Sequence, residues 1–196
     1  MKTLRAIFVV LLCILALGTV AQADTMPALS LNPTNGAIVG PAGSTVGWGF
    51  TLTNLSTNFA VVTSSDFCVG VVTSPCGNSL GTYTDFIAAQ FFVVGPSPES
   101  SSFTQAFNNN SQTGVGSFLI NLNATGSAIG QLVLTYDLFS VSPNSASFDP
   151  GLDTLSVGNY LTTPASVTVA PVPEPGSLFL LLSGLAISFL VIKIRR

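Results

Sequence analysis

The sequence predicts an all-β domain, an antiparallel β-sandwich, and three observations predict it. Apolar residues alternate with period two along several stretches, clusters of Gly, Pro, Asn and Ser separate those stretches, and nothing between Asp24 and Val172 carries helical periodicity. Alternation puts one face of a strand into a core and the other into water, and frequent turn residues let short strands fold back on one another. Roughly 150 residues of this kind suit one domain built from two packed sheets.

The first strand is predicted over Ala28 to Leu31, stopped by Pro33-Thr34-Asn35-Gly36. The clearest one runs from Thr45 to Asn54, where Val46, Trp48, Phe50 and Leu52 share one face and Gly and Thr occupy the other. Further strands are predicted over Phe59 to Thr63, Phe67 to Val72, Tyr83 to Val94, Val115 to Leu122, Gln131 to Phe139 and Ser166 to Val169. The stretches Gly95-Pro96-Ser97-Pro98-Glu99 and Asn108-Asn109-Asn110-Ser111 are loops between them. Asp149-Pro150-Gly151-Leu152-Asp153 reads as a solvated turn, because it lacks the alternating acids and terminal Glu of a calcium loop. Many short strands in one domain of this length point to immunoglobulin-like connectivity.

Both flanks of this domain differ in composition. Lys2 and Arg5 precede an apolar run from Ala6 to Val20, and the small residues Ala21 and Ala23 follow, which predicts a secretory signal peptide over residues 1–23 cleaved by signal peptidase before Asp24. Cys13 lies inside that run after bulky Leu11 and Leu12, so it is not an acylation site. The sandwich is then expected over residues 24–170 and a second tag over 171–196. In that tag Pro173 and Pro175 fix φ and lack donors, which makes Pro173-Glu174-Pro175 a stiff extended strip. The uncharged stretch Leu178 to Ile192 predicts a transmembrane helix of about 22 Å, short of a hydrocarbon core of about 30 Å. Ile194 and snorkelling by Lys193, Arg195 and Arg196 lengthen it, and this basic end stays on the cytoplasmic side.

Proline strip, short apolar helix and basic end, in that order, resemble the PEP-CTERM sorting signal of exported bacterial proteins, with Pro173, Glu174 and Pro175 matching its motif and Arg195 and Arg196 its basic end. The resemblance implies recognition by an exosortase, a membrane-embedded cysteine protease that removes the tail. It also implies transient anchoring in the inner membrane, then delivery to the cell surface or exopolysaccharide matrix. An ordinary C-terminal membrane anchor is the competing expectation. Three internal segments, Val46 to Asn54, Gly81 to Ser100 and Leu132 to Ser140, are similar to exported proteins that carry the same tail, and that likeness implies a single β domain with no particular ligand.

Removing both tags changes the electrostatics. All five cations, Lys2, Arg5, Lys193, Arg195 and Arg196, lie in the flanks, and the chain has no His. The domain keeps Asp24, Asp66, Asp85, Glu99, Asp137, Asp149 and Asp153, so it carries acids and no cation. Nucleic acid and other phosphate-rich partners need cationic contacts and are not expected. Ser-His-Asp and Cys-His sets, Schiff-base lysines, His metal sites and arginine clamps are all ruled out by composition. A two-carboxylate glycosidase stays conceivable, but scattered acids form pairs by chance. The expectation is therefore no enzyme, no catalytic residue, no metal and no cofactor.

Export into an oxidising compartment and a hairpin-like spacing predict a Cys68–Cys76 disulfide, with two separate buried thiols as the alternative. Closing that loop is worth about 2.6 kcal/mol of chain entropy. Exposed rings suggest sugar stacking, and Trp48, Tyr83, Tyr136 and Tyr160 are the rings to consider. Trp48 and Tyr136 share strand faces with core residues, whereas Tyr83 and Tyr160 sit nearer loops. The sequons at Asn54, Asn109 and Asn123 are expected to be chance matches. Two roles follow: a structural or adhesive surface protein, or a secreted carbohydrate-binding module that attaches to exopolysaccharide.

Overall fold

The computed structural model describes residues 26–70, 72, 76–98, 102–171 and 181. The signal-peptidase residues Ala21 and Ala23, the motif Pro173-Glu174-Pro175, the basic end at Lys193, Arg195 and Arg196, and the expected span 178–192 apart from Leu181 lie outside the described residues. Among the described residues no helix is long and apolar enough to cross a membrane.

Among the described residues, ten strands form two five-stranded sheets. The first sheet holds β1 (Ala28–Asn32), β3 (Thr45–Thr53), β5 (Gly81–Asp85), β7 (Ser102–Gln105) and β8 (Gly116–Ile120), ordered β1-β3-β8-β5. Strand β7 pairs with Phe50–Thr53 of β3 and β8 with Thr45–Trp48, so the two lie end to end along one edge of β3. The second sheet is ordered β2 (Ala37–Pro41), β10 (Thr154–Ala170), β9 (Ser127–Phe139), β4 (Phe59–Cys68) and β6 (Phe92–Val94). The chain changes sheets between β1, antiparallel to β3, and β2, parallel to β10. One helical turn, α1 (Pro150–Asp153), precedes β10.

The core lies between the sheets and follows the alternation. Trp48, Phe50 and Leu52 of β3 are buried, as expected, and meet Phe67 of β4, Leu132 and Leu134 of β9 and Val167 of β10. Phe67 sits 5.4 Å from the Trp48 ring and 5.7 Å, edge-on, from Phe118 of β8, so aromatic contacts tie the two sheets together. Full burial of each such side chain contributes about 1.5–3 kcal/mol. A buried indole needs an acceptor, and Trp48 Nε1 donates to Gly36 O at 2.7 Å. Gly36 has φ +65° and backs onto Pro164 O so closely that a Cβ would clash there. The turn between β1 and β2 therefore requires glycine.

Several elements differ from expectation. Phe59 to Thr63 and Phe67 to Val72 are not two strands: β4 is continuous through Ser64-Ser65-Asp66 and ends at Cys68. A bulge between Val62 and Ser64 shifts the inward parity, so Val62 above it and Ser65 and Phe67 below it all face inward. Tyr83 to Val94 is two strands in different sheets, β5 and β6, joined by a crossover that buries Phe86 and Ile87. Strands β2 and β7 were not expected, because Gly40 and Pro41 obscure one and the other is only four residues long. Strand β10 extends far upstream of Ser166, with bulges between Thr154 and Asn159. The expected turn at Asp149 is α1, exposed and capped by Asp149 Oδ1 accepting from Gly151 N at 2.8 Å.

Candidate functional site

Strand β4 carries polar side chains on both of its faces, and the two sets differ in every physical respect. On the inner face, Ser65 is buried and meets Asp85 and Tyr83 of β5 across the gap between sheets. Ser65 Oγ lies 2.6 Å from Asp85 Oδ1, 2.8 Å from Tyr83 Oη and 2.7 Å from Val115 O. Each hydroxyl has one proton, so Ser65 and Tyr83 each donate to one acceptor at a time; either can be the donor between them, and the Tyr83 hydroxyl also donates to Val115 O at 3.1 Å. Asp85 further accepts from Ser65 N at 3.1 Å and Ile87 N at 2.7 Å. Burial pushes the Tyr83 phenol well above its ordinary range; the Ser65 hydrogen bond opposes the shift, and the Asp85 and Asp66 carboxylates add to it. The serine has neither an imidazole nor an amine beside it, so this group is a clasp between sheets. Tyr83, expected at the start of a strand and close to a loop, lies in β5 and is held inside that clasp.

The outer face of β4 is open. The register places Ser64 of β4, Thr135 of β9 and Tyr160 of β10 in one row, and Asp66, Val133 and Thr162 in the next. Residues directly opposed across an antiparallel pair share a face, with Cβ atoms about 4.5–5.5 Å apart. Ser64, Asp66, Val133 and Thr135 line a depression of about 270 Å³, together with Val72, both cysteines and Ser65, whose hydroxyl is turned inward to the clasp. Cys68 and Cys76 form a disulfide with Cα atoms 4.6 Å apart, in agreement with the expected pairing. The Asp66 carboxylate and the two sulfurs lie within 4.8 Å of one another. The disulfide occupies both sulfurs, which leaves one carboxylate and no thiolate for a cation. Asp66 Oδ1 accepts from Phe67 N at 2.7 Å, which orients the carboxylate.

The ring candidates separate cleanly. Trp48 and Tyr136 are core residues, as expected, and Tyr160 is 61% exposed beside Thr135. Phe91, which the sequence did not single out, is also exposed. Of the sequons, Asn54 is fully buried, and its side-chain amide donates to Asn58 O at 2.7 Å and Gly95 O at 3.0 Å, so it is closed to modification. Asp66 carried no distinguishing signal in the sequence, because the pattern that singles it out is cross-strand register. A larger depression of about 450 Å³ lies between Leu122 and Val169, next to Pro171, and holds no titratable side chain.

Strand β10 also leaves part of an edge open. Ser166 N donates to Gly36 O and Val169 N to Gly126 O, so alternate residues bond toward β2 and toward β9. Strand β2 pairs only with Ser166–Ala170, and the backbone groups of Tyr160 and Thr162 point to the side that, among the described residues, no strand covers. Leu155 and Val157 are exposed nearby.

No family model and no curated protein matches the sequence. Among solved structures, the chain is similar to the ASH/PapD-like domain 7 of human CEP192, with 10% identity over 80% of this chain and 93% of that one and a TM-score of 0.41. It is also similar to the third cohesin of ScaC from Acetivibrio cellulolyticus, solved in complex with the ScaB dockerin, with 18% identity over 74% of this chain and 100% of that one and a TM-score of 0.29. A third likeness is to the cohesin in a Coh-OlpC–Doc435 complex from Clostridium thermocellum, with 13% identity, 76% and 97% coverage and a TM-score of 0.27.

Proposed function

We propose that this is an exported bacterial protein with a removable sorting tail, delivered to the cell surface or exopolysaccharide matrix for a structural or adhesive role. The observation that carries it is the order of three parts: Pro173-Glu174-Pro175, the apolar stretch Leu178 to Ile192, and Lys193, Arg195 and Arg196. An extended proline strip can enter a protease groove, whereas the adjoining helix satisfies its own backbone and cannot. Signal peptidase acts at Ala21-Gln22-Ala23 and an exosortase at the proline strip, while 178–192 holds the substrate in the inner membrane. The Cys68–Cys76 disulfide fits an oxidising compartment. The strand orders β1-β3-β8-β5 and β4-β9-β10 parallel the ABED and CFG sheets of an immunoglobulin constant-type domain, and we assign that connectivity. An adhesive role is supported by the uncovered edge at Tyr160 and Thr162, since unpaired strand edges accept extended segments of other chains.

Replacing Pro173-Glu174-Pro175 with three alanines lets helix propagate into the strip and removes its carboxylate. The expected result is unprocessed chain accumulating in the inner membrane, read by intact mass and fractionation. Normal surface yield with the C-terminal segment still present in both the parent and the triple-alanine chain would leave the plain membrane anchor as the better account. A second reading, a module that binds exopolysaccharide, is favoured by one observation: an exposed tyrosine beside a depression of hydroxyl and carboxylate groups.

A further inference from the structure

We propose that the outer face of β4, β9 and β10 is a binding site for a neutral saccharide. Tyr160 serves as its stacking platform, and Ser64, Asp66 and Thr135 are its hydroxyl partners. The proposal rests on the carbohydrate reading above and gives it a place and a ligand class.

Four observations carry it. The register sets Tyr160 directly beside Thr135, which lines the depression, so ring and polar groups adjoin on one face. Tyr160 is 61% exposed, whereas Tyr136 is buried and Tyr83 is occupied by the clasp. An exposed ring offers a flat, electron-rich face to the C–H side of a pyranose, which needs no counter-charge. The polar lining is complementary to hydroxyls: a carboxylate that accepts, and two hydroxyls that both donate and accept.

Charge narrows the class. No Lys, Arg or His occurs among the described residues, and Asp66 places a carboxylate in the depression. Uronate, sulfate or phosphate groups would meet repulsion with no cation to offset it. Ligand pockets span about 300–1,000 Å³, so the depression of about 270 Å³ suits one sugar ring of a longer polymer, with Tyr160 outside it holding the next. Three hydrogen-bonded strands and an adjacent disulfide hold the lining, so little ordering cost opposes binding.

The test uses the full-length chain in a polyoxyethylene detergent, free of sugar headgroups, run through native gels containing dextran, a β-glucan, galactomannan or alginate. At least one neutral polymer should retard the chain, and anionic alginate should not. Tyr160→Ala should weaken that retardation at least tenfold, Tyr160→Phe should keep it, and Asp66→Asn should weaken it several-fold. Near-ultraviolet circular dichroism, dominated by buried Trp48, checks that each variant is folded. Preference for alginate overturns the neutral-ligand assignment. Retardation unchanged in Tyr160→Ala overturns this site while leaving the carbohydrate reading standing, and no retardation by any neutral polymer overturns both. The sorting reading is tested separately by the triple-alanine chain and survives either result.

Discussion

Ser65 and Ser64 are neighbours in one strand, yet one closes the sandwich and the other opens onto solvent. Ser65 is buried, with Asp85, Tyr83 and Val115 O all within 3 Å of its hydroxyl. Ser64 faces outward into a depression it shares with Asp66 and Thr135. Residue type decides little here, and strand parity decides a great deal. Inward, a hydroxyl must find partners or cost the fold about 1–3 kcal/mol; outward, water supplies them and the group is free for a ligand.

The sharpest way to break this contrast is to change the inner face. Phe67→Ala empties a fully buried site between Trp48 and Phe118 and should destabilise the chain by about 3–5 kcal/mol. Urea denaturation followed by Trp48 fluorescence measures it, and a loss below about 1 kcal/mol would show that the sheets do not meet at this ring.

The clasp itself should respond to alkali. Burial raises the Tyr83 phenol, so the folded chain keeps a proton that the unfolded chain releases. The stability tied to that proton is fully present below the ordinary tyrosine value of about 10 and is lost as pH rises beyond it, by about 1.4 kcal/mol per unit. No lysine lies among the described residues to confuse that window. Tyr83→Phe should flatten the decline measured by denaturation between about pH 9 and 11, and an unaltered slope would place the phenol outside the clasp. On the outer face, Ser64→Ala should change stability by no more than about 0.5 kcal/mol in the same assay. A cost as large as a buried hydroxyl's would mean that the depression is closed.

Much of the inner face was legible in advance. Alternation alone picks out Trp48, Phe50 and Leu52 as core, because a pleated strand sends every second residue to the same side. Composition alone removes imidazole chemistry, because the chain has no histidine and a residue that is absent cannot be assembled by folding, and no Lys or Arg lies among the described residues. Export logic and spacing anticipate the Cys68–Cys76 pair seen in the structure. The order of proline strip, apolar stretch and basic end is likewise a property of the linear chain.

The outer face could not be read that way. Ser64, Asp66, Thr135 and Tyr160 are as much as 96 positions apart, and none stands in a motif. They become neighbours through cross-strand register, which depends on where β4 and β10 bulge. One extra residue at the Val62/Ser64 bulge reverses which residues of β4 face inward, and a two-residue period carries no warning of that insertion. The same bulge made one strand look like two and hid Ser65 as a polar interruption, when its hydroxyl is in fact satisfied by β5 across the core. Local pattern determined which stretches are strands and which side chains can be buried. Only the tertiary pairing decided which polar groups are spent inside the fold and which are left for a partner, because satisfying a buried hydrogen bond requires an atom that lies far away in the sequence.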